Sequence, residues 1–80
     1  MNEPDRSGTG PFILTVNGEV REFDPGAAPA TLGRLVEILG LSGAALVAEI
    51  DGETVAPSDF ADVFLRPGAR IELIRFVGGG

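Results

Sequence analysis

A largely apolar run rich in strand formers, Phe12-Ile13-Leu14-Thr15-Val16, and a run of alternating character, Glu19-Val20-Arg21-Glu22-Phe23, stand on either side of Asn17-Gly18. β-Branched and aromatic residues suit a half-buried pleated surface. Asn-Gly supplies the positive φ angles of a two-residue turn, so this stretch predicts a β-hairpin. Asp24-Pro25-Gly26 and Ala27-Ala28-Pro29 then break the alternation and read as a connecting loop. Beyond it the period changes. Leu32, Leu35, Val36 and Leu39 recur at helical spacing and fall on one stripe, which predicts an amphipathic helix over about residues 31–39. Thr31 is placed to cap its start and Gly40 to end it, Arg34 and Glu37 face water, and Gly33 weakens the first turn.

Ala45-Leu46-Val47-Ala48-Glu49-Ile50 has a continuously apolar middle, the pattern of a buried strand. Asp51-Gly52 is a second tight-turn signal, followed by a short extended piece at Thr54-Val55. Pro57-Ser58-Asp59-Phe60 predicts a single helical turn with Ser58 as its cap, Val63-Phe64-Leu65 a fourth strand, Arg66-Pro67-Gly68-Ala69 a turn, and Arg70 to Val77 the final strand. The expected order is β-β-α-β-β-β, an α+β fold in which one helix crosses one face of a single mixed sheet of about five strands. In the final strand Ile71 and Leu73 point one way and Glu72, Ile74 and Phe76 the other. If the first pair is core, Ile74 and Phe76 form an apolar patch on the open face; the alternative is that one or both fold under a loop.

The two ends differ from the middle. Residues 1–11 offer no apolar anchor after Met1 and are expected to be a disordered leader, leaving 12–77 as the folded domain and 78–80 as a flexible tail. Gly78-Gly79-Gly80 has no Cβ to obstruct a narrow channel, and Val77 to Gly80 reaches roughly 13 Å when extended at about 3.3 Å per residue. Glycines at a chain end are also what a frayed terminus contains. The functional expectation, with the Gly80 carboxylate as the working atom, therefore draws its weight from the pattern upstream.

Composition narrows the chemistry. Eighty residues make one domain, which buries only about 60% of its unfolded surface and leaves little room for an enclosed catalytic cleft. A net charge of −6, from 12 acidic and 6 basic residues, argues against nucleic acid and for a basic partner surface. All six cations are arginines. With no lysine, the chain offers no side-chain amine for conjugation to itself. No cysteine means no disulfide, thiolate metal site or cysteine nucleophile, and no histidine removes the commonest general base. No apolar run nears the ~18 residues of a membrane span and no basic-then-apolar start marks a signal peptide, so the expected location is the cytoplasm, away from any membrane.

Leu14-Thr15-Val16-Asn17-Gly18-Glu19, the leucine helix, Ala48-Glu49-Ile50-Asp51-Gly52-Glu53, and Pro67-Gly68 through Arg70-Ile71-Glu72-Leu73 to Val77-Gly78-Gly79-Gly80 together resemble the thiamine-biosynthesis sulfur carrier family, ThiS. The resemblance spans roughly residues 12–80. It implies the ubiquitin-like β-grasp fold, in agreement with the element order. Departures fall at Ser58, where the family usually carries arginine, Phe60 for a frequent tryptophan, Ala69 for a common aspartate, Asp51 for a frequent asparagine, and in the longer leader.

What the resemblance implies is a carrier and not an enzyme. A ThiF-like adenylating enzyme would join the Gly80 carboxylate to AMP, and a cysteine-derived persulfide would then displace AMP to leave a thiocarboxylate at Gly80. Gly78 and Gly79 would thread the partner's channel, while Ile74, Phe76 and Val77 dock. The expected acceptor is thiazole synthase, ThiG. ATP and Mg²⁺ are expected with the activating partner, because the chain has no phosphate-cradling Gly-x-x-x-x-Gly-Lys loop; no cofactor and no metal is expected on the chain itself. Two related functions stay open: a sulfur carrier for molybdopterin or another pathway, whose members often place a proline pair where this chain has Arg75-Phe76-Val77, and a ubiquitin-like modifier joined to target lysines. A free-standing enzyme would have only carboxylates and hydroxyls such as Asp59 and Ser58, which fit caps and solvated faces better.

Overall fold

Asn17 and Gly18 adopt φ angles of 51° and 84°, and between them β1 (Phe12–Val16) folds back on β2 (Glu19–Phe23) with Phe12 opposite Phe23 and Val16 opposite Glu19. Asp51 and Gly52, at 49° and 89°, do the same for β3 (Leu46–Ile50) and β4 (Glu53–Val55). Both turns need left-handed backbone at two successive residues, which Asn or Asp followed by Gly tolerates best. The computed structural model describes residues 10–76. Residues 1–9 of the expected leader, Val77 at the end of the expected final strand, and the expected tail, 78–80, lie outside them.

The one α-helix among the described residues, α1 (Leu32–Ile38), lies between the hairpins, after a 3-10 turn at Pro25–Ala27. The Thr31 hydroxyl accepts a hydrogen bond from the Arg34 N–H at 3.1 Å, as a capping threonine does. At the other end Gly40, with φ of 76°, donates to the Glu37 carbonyl, and Leu41 donates to the Val36 carbonyl. That pair of bonds is the Schellman closure, and it satisfies carbonyls the helix itself cannot reach.

β5 (Arg70–Arg75) completes a five-stranded mixed sheet in the order β2-β1-β5-β3-β4. β5 runs parallel to β1 and antiparallel to β3, so the last strand is also the central one. α1 lies across one face, and the core forms there from Leu14 and Val16 of β1, Ile71 and Leu73 of β5, Leu46 and Ala48 of β3, and Leu32, Leu35 and Val36 of the helix. No polar or charged side chain is buried among the described residues. This is the ubiquitin-like β-grasp, and burying a side chain such as Leu14 or Ile71 at its centre contributes about 1.5–3 kcal/mol.

The fourth strand is not the one expected. Val63-Phe64-Leu65 is extended but makes only an isolated bridge, Thr31 with Phe64, and its backbone bonds go to Leu32 and Ala30 at the helix entrance. Phe64 is 72% exposed while Leu65 is buried. The sheet position is taken by Glu53–Val55, which the Asp51-Gly52 turn returns against β3. The expected single turn at Pro57 is a longer 3-10 helix, Pro57–Asp62, whose N-cap is Ala56 with no side-chain cap bond, so Ser58 does not cap it. Proline at its start supplies the preset φ and needs no donor.

Candidate functional site

The strand that leads to the glycines is held from both sides by the two hairpin turns. On the β1 side, Asn17 donates its backbone N–H to the Ile71 carbonyl at 2.8 Å, and its side-chain Oδ1 accepts from the Leu73 N–H at 2.7 Å. β1 ends at Val16, opposite Ile71, so the Asn17 side chain extends the parallel ladder by one more bond after the main chain has turned away. On the β3 side, Asp51 donates to the Arg70 carbonyl at 2.9 Å and its Oδ1 accepts from the Arg70 N–H at 3.0 Å. A short acceptor side chain at a left-handed turn residue is free to reach a neighbouring N–H, and here both turns aim that acceptor at β5.

Past Leu73, β5 keeps one neighbour among the described residues. Val47 lies opposite Ile74, Leu46 opposite Arg75, and the Phe76 N–H donates to the Ala45 carbonyl at 2.9 Å. Ile71 and Leu73 face the helix and are 0% and 8% exposed, whereas Ile74 and Phe76 face away and are 46% and 55% exposed. The helix-free alternative for this pair is thereby the one adopted, and neither is folded under a loop. Val47 stands directly across from Ile74 on the same face and extends the apolar strip, a contribution that the continuous apolar run of β3 concealed. One step along, Glu49 lies directly opposite Glu72, two like charges paired across the strands.

Of the residues singled out from the sequence, Ile74 and Phe76 thus share one exposed face; Val77, Gly78, Gly79 and Gly80 lie outside the described residues. Asn17 and Asp51 were legible as turn formers but not as anchors of the final strand. The signal available was the pairing of an Asx residue with glycine at both turns. Among the described residues, no group of three or more Asp, Glu, His or Cys is placed to hold a metal, and no helix is long and apolar enough to cross a membrane.

The arrangement is a central strand clasped from both sides by the turns, with an apolar strip on its open face, and the glycines follow it in the sequence. Comparisons with known proteins bear on what it serves. The sequence model of the ThiS family matches residues 14–80, the glycines included. A thiazole synthase from Paramagnetospirillum magneticum is 34% identical over 67 residues, covering 84% of this chain and 20% of that protein, so the chain spans about a fifth of the length of this relative. The crystal structure of a thiamine biosynthesis protein, ThiS, from Geobacter metallireducens superposes with a TM-score of 0.70 at 28% identity, covering 85% of this chain and 99% of the other.

Proposed function

The chain belongs to the ThiS family of small sulfur carriers in thiamine biosynthesis, and on that premise we propose that its Gly80 carboxylate is adenylated, converted to a thiocarboxylate and used to donate sulfur for the thiazole ring. The observation that carries this reading is the family match running through Gly78, Gly79 and Gly80, joined to a fold whose central strand leads directly into them.

A carboxylate resists nucleophilic attack, so activation comes first. A ThiF-like adenylating enzyme, holding ATP and Mg²⁺, forms the acyl-adenylate at Gly80 and releases pyrophosphate. A cysteine persulfide attacks the carbonyl carbon, the carbon–oxygen bond to AMP breaks, and an acyl disulfide results. A second thiol then cleaves the sulfur–sulfur bond, itself becoming part of a disulfide, and leaves the thiocarboxylate on Gly80. Each of these groups belongs to a partner. This chain contributes the reacting carbon, a segment without side chains to enter the partner's site, and the Ile74, Phe76 and Val77 surface to hold it there. The acidic Glu49 and Glu72 beside that surface, within a chain of net charge −6, favour a partner face rich in arginine or lysine.

Thiazole synthase, ThiG, is the proposed acceptor. A protein named for that activity contains a stretch resembling this chain within a sequence about five times as long, which supports carrier and synthase working at close quarters. The test is intact mass spectrometry of the full chain after incubation with the adenylating enzyme, ATP, Mg²⁺ and a persulfide source. Replacement of one oxygen by sulfur adds about 16 Da at Gly80. An unchanged mass would overturn the proposal, as would stable conjugates through Gly80 to other proteins in place of the thiocarboxylate.

A further inference from the structure

β5 is longer than the strand it pairs with on one side, and the excess lies next to the glycines. Backbone groups alternate sides along a strand. Arg70 and Phe76 bond towards β3, through the Asp51 N–H and the Ala45 carbonyl, so Glu72 and Ile74 between them point the same way. Ile71 and Leu73 bond the other way, to Asn17. Arg75, two residues on, therefore also points its N–H and C=O to the β1 side, where β1 has already ended and turned back into β2. Among the described residues no partner meets the Leu73 carbonyl, the Arg75 N–H or the Arg75 carbonyl.

We propose that this short open edge, Leu73 to Arg75, is where the adenylating partner adds an extended segment of its own main chain as a sixth strand, gripping β5 immediately before the glycines. The inference rests on the reading that such a partner takes Gly80. Acceptor, donor and acceptor follow one another at strand spacing, the pattern that one extended backbone satisfies. The Asn17 side chain marks where the internal ladder stops, and the edge beyond it is continuous with the segment that must enter the active site. Ile74 and Phe76 flank it on the open face, so a strand seated there also brings the partner against the apolar strip. The outer strands also carry charge, Glu19, Arg21 and Glu22 on β2 and Glu53 on β4, as edges protected from pairing do. From Arg75 the five residues to Gly80 reach roughly 17 Å when extended, so a grip here sets the register of the reacting carbon.

The expected result is read from amide hydrogen exchange of the full chain, free and bound to the adenylating enzyme. In the free protein the Ile74 and Phe76 N–H groups, bonded to β3, exchange slowly and the Arg75 N–H fast; in the complex Arg75 slows by about tenfold or more. Arg75→Pro removes that donor without removing any bond of the sheet, and it is expected to bind the enzyme about tenfold more weakly than Arg75→Ala, which keeps the N–H. Arg75 exchanging as fast in the complex as in the free chain would overturn the proposal. So would slow exchange already in the free chain, which would assign the edge to residues 1–9 if their deletion restores fast exchange, or to a second copy if dilution does. Wild-type chain that gains sulfur while Arg75 stays unprotected would refute the sixth strand alone; wild-type chain that is never adenylated would refute the functional reading beneath it.

Discussion

Ile71 and Ile74 are the same residue type three positions apart on one strand, yet the first is fully buried and the second 46% exposed. The difference is the side of the sheet. On the helix face Ile71 packs among Leu14, Leu32 and Leu35; on the open face Ile74 meets Val47 across the strand and then water. Hydrophobicity alone therefore does not decide what an apolar residue does in so small a fold. One face of β5 stabilises the domain, and the other is open to solvent.

Substitution separates the two faces most sharply at these isoleucines. Ile71→Ala is expected to cost about 2–5 kcal/mol in urea unfolding, the loss typical of a cavity in a packed core. Ile74→Ala is expected to stay within about 0.5 kcal/mol while weakening binding to the adenylating enzyme, and equal losses of stability in the two variants would erase the distinction. Asn17→Ala comes next. It leaves the part-buried Leu73 N–H without an acceptor and should cost about 1–3 kcal/mol in thermal unfolding, with faster exchange at Leu73. The smallest effect is a gain: Glu72→Lys replaces a like-charged pair on the open face by an opposite-charged one with Glu49, and should raise stability by about 0.2–1 kcal/mol.

Much of this was legible in the chain. Asn17-Gly18 and Thr31 carried local chemistry strong enough to place a turn and a helix start, and both are where the residues indicated. The parity of Ile71 and Leu73 against Ile74 and Phe76 was also plain; which side lay under the helix was not, because both pairs are apolar and the choice belongs to the packing of the whole. Val63-Phe64-Leu65 shows the same limit from another direction. Its strand-forming residues announce an extended backbone, and that is correct, but composition does not name the neighbour, and the neighbour is the entrance to α1 and not the sheet. The Asp51-Gly52 turn was better evidence for the fourth strand, since a two-residue turn commits the residues after it to pair with those before it. The Asn17 and Asp51 side-chain bonds to β5 span 56 and 19 residues of chain, distances over which no local pattern speaks.

The parallel pairing of β1 with β5 has a mechanical consequence. Because the bonds between these strands lie across the strand axis, a tug on β5 along its length loads them in shear and all together, not one at a time as peeling a hairpin would. The Asn17 and Asp51 clasps share the same load. A pull applied to the chain beyond Phe76 would thus be expected to move the domain as a unit, without unravelling it strand by strand.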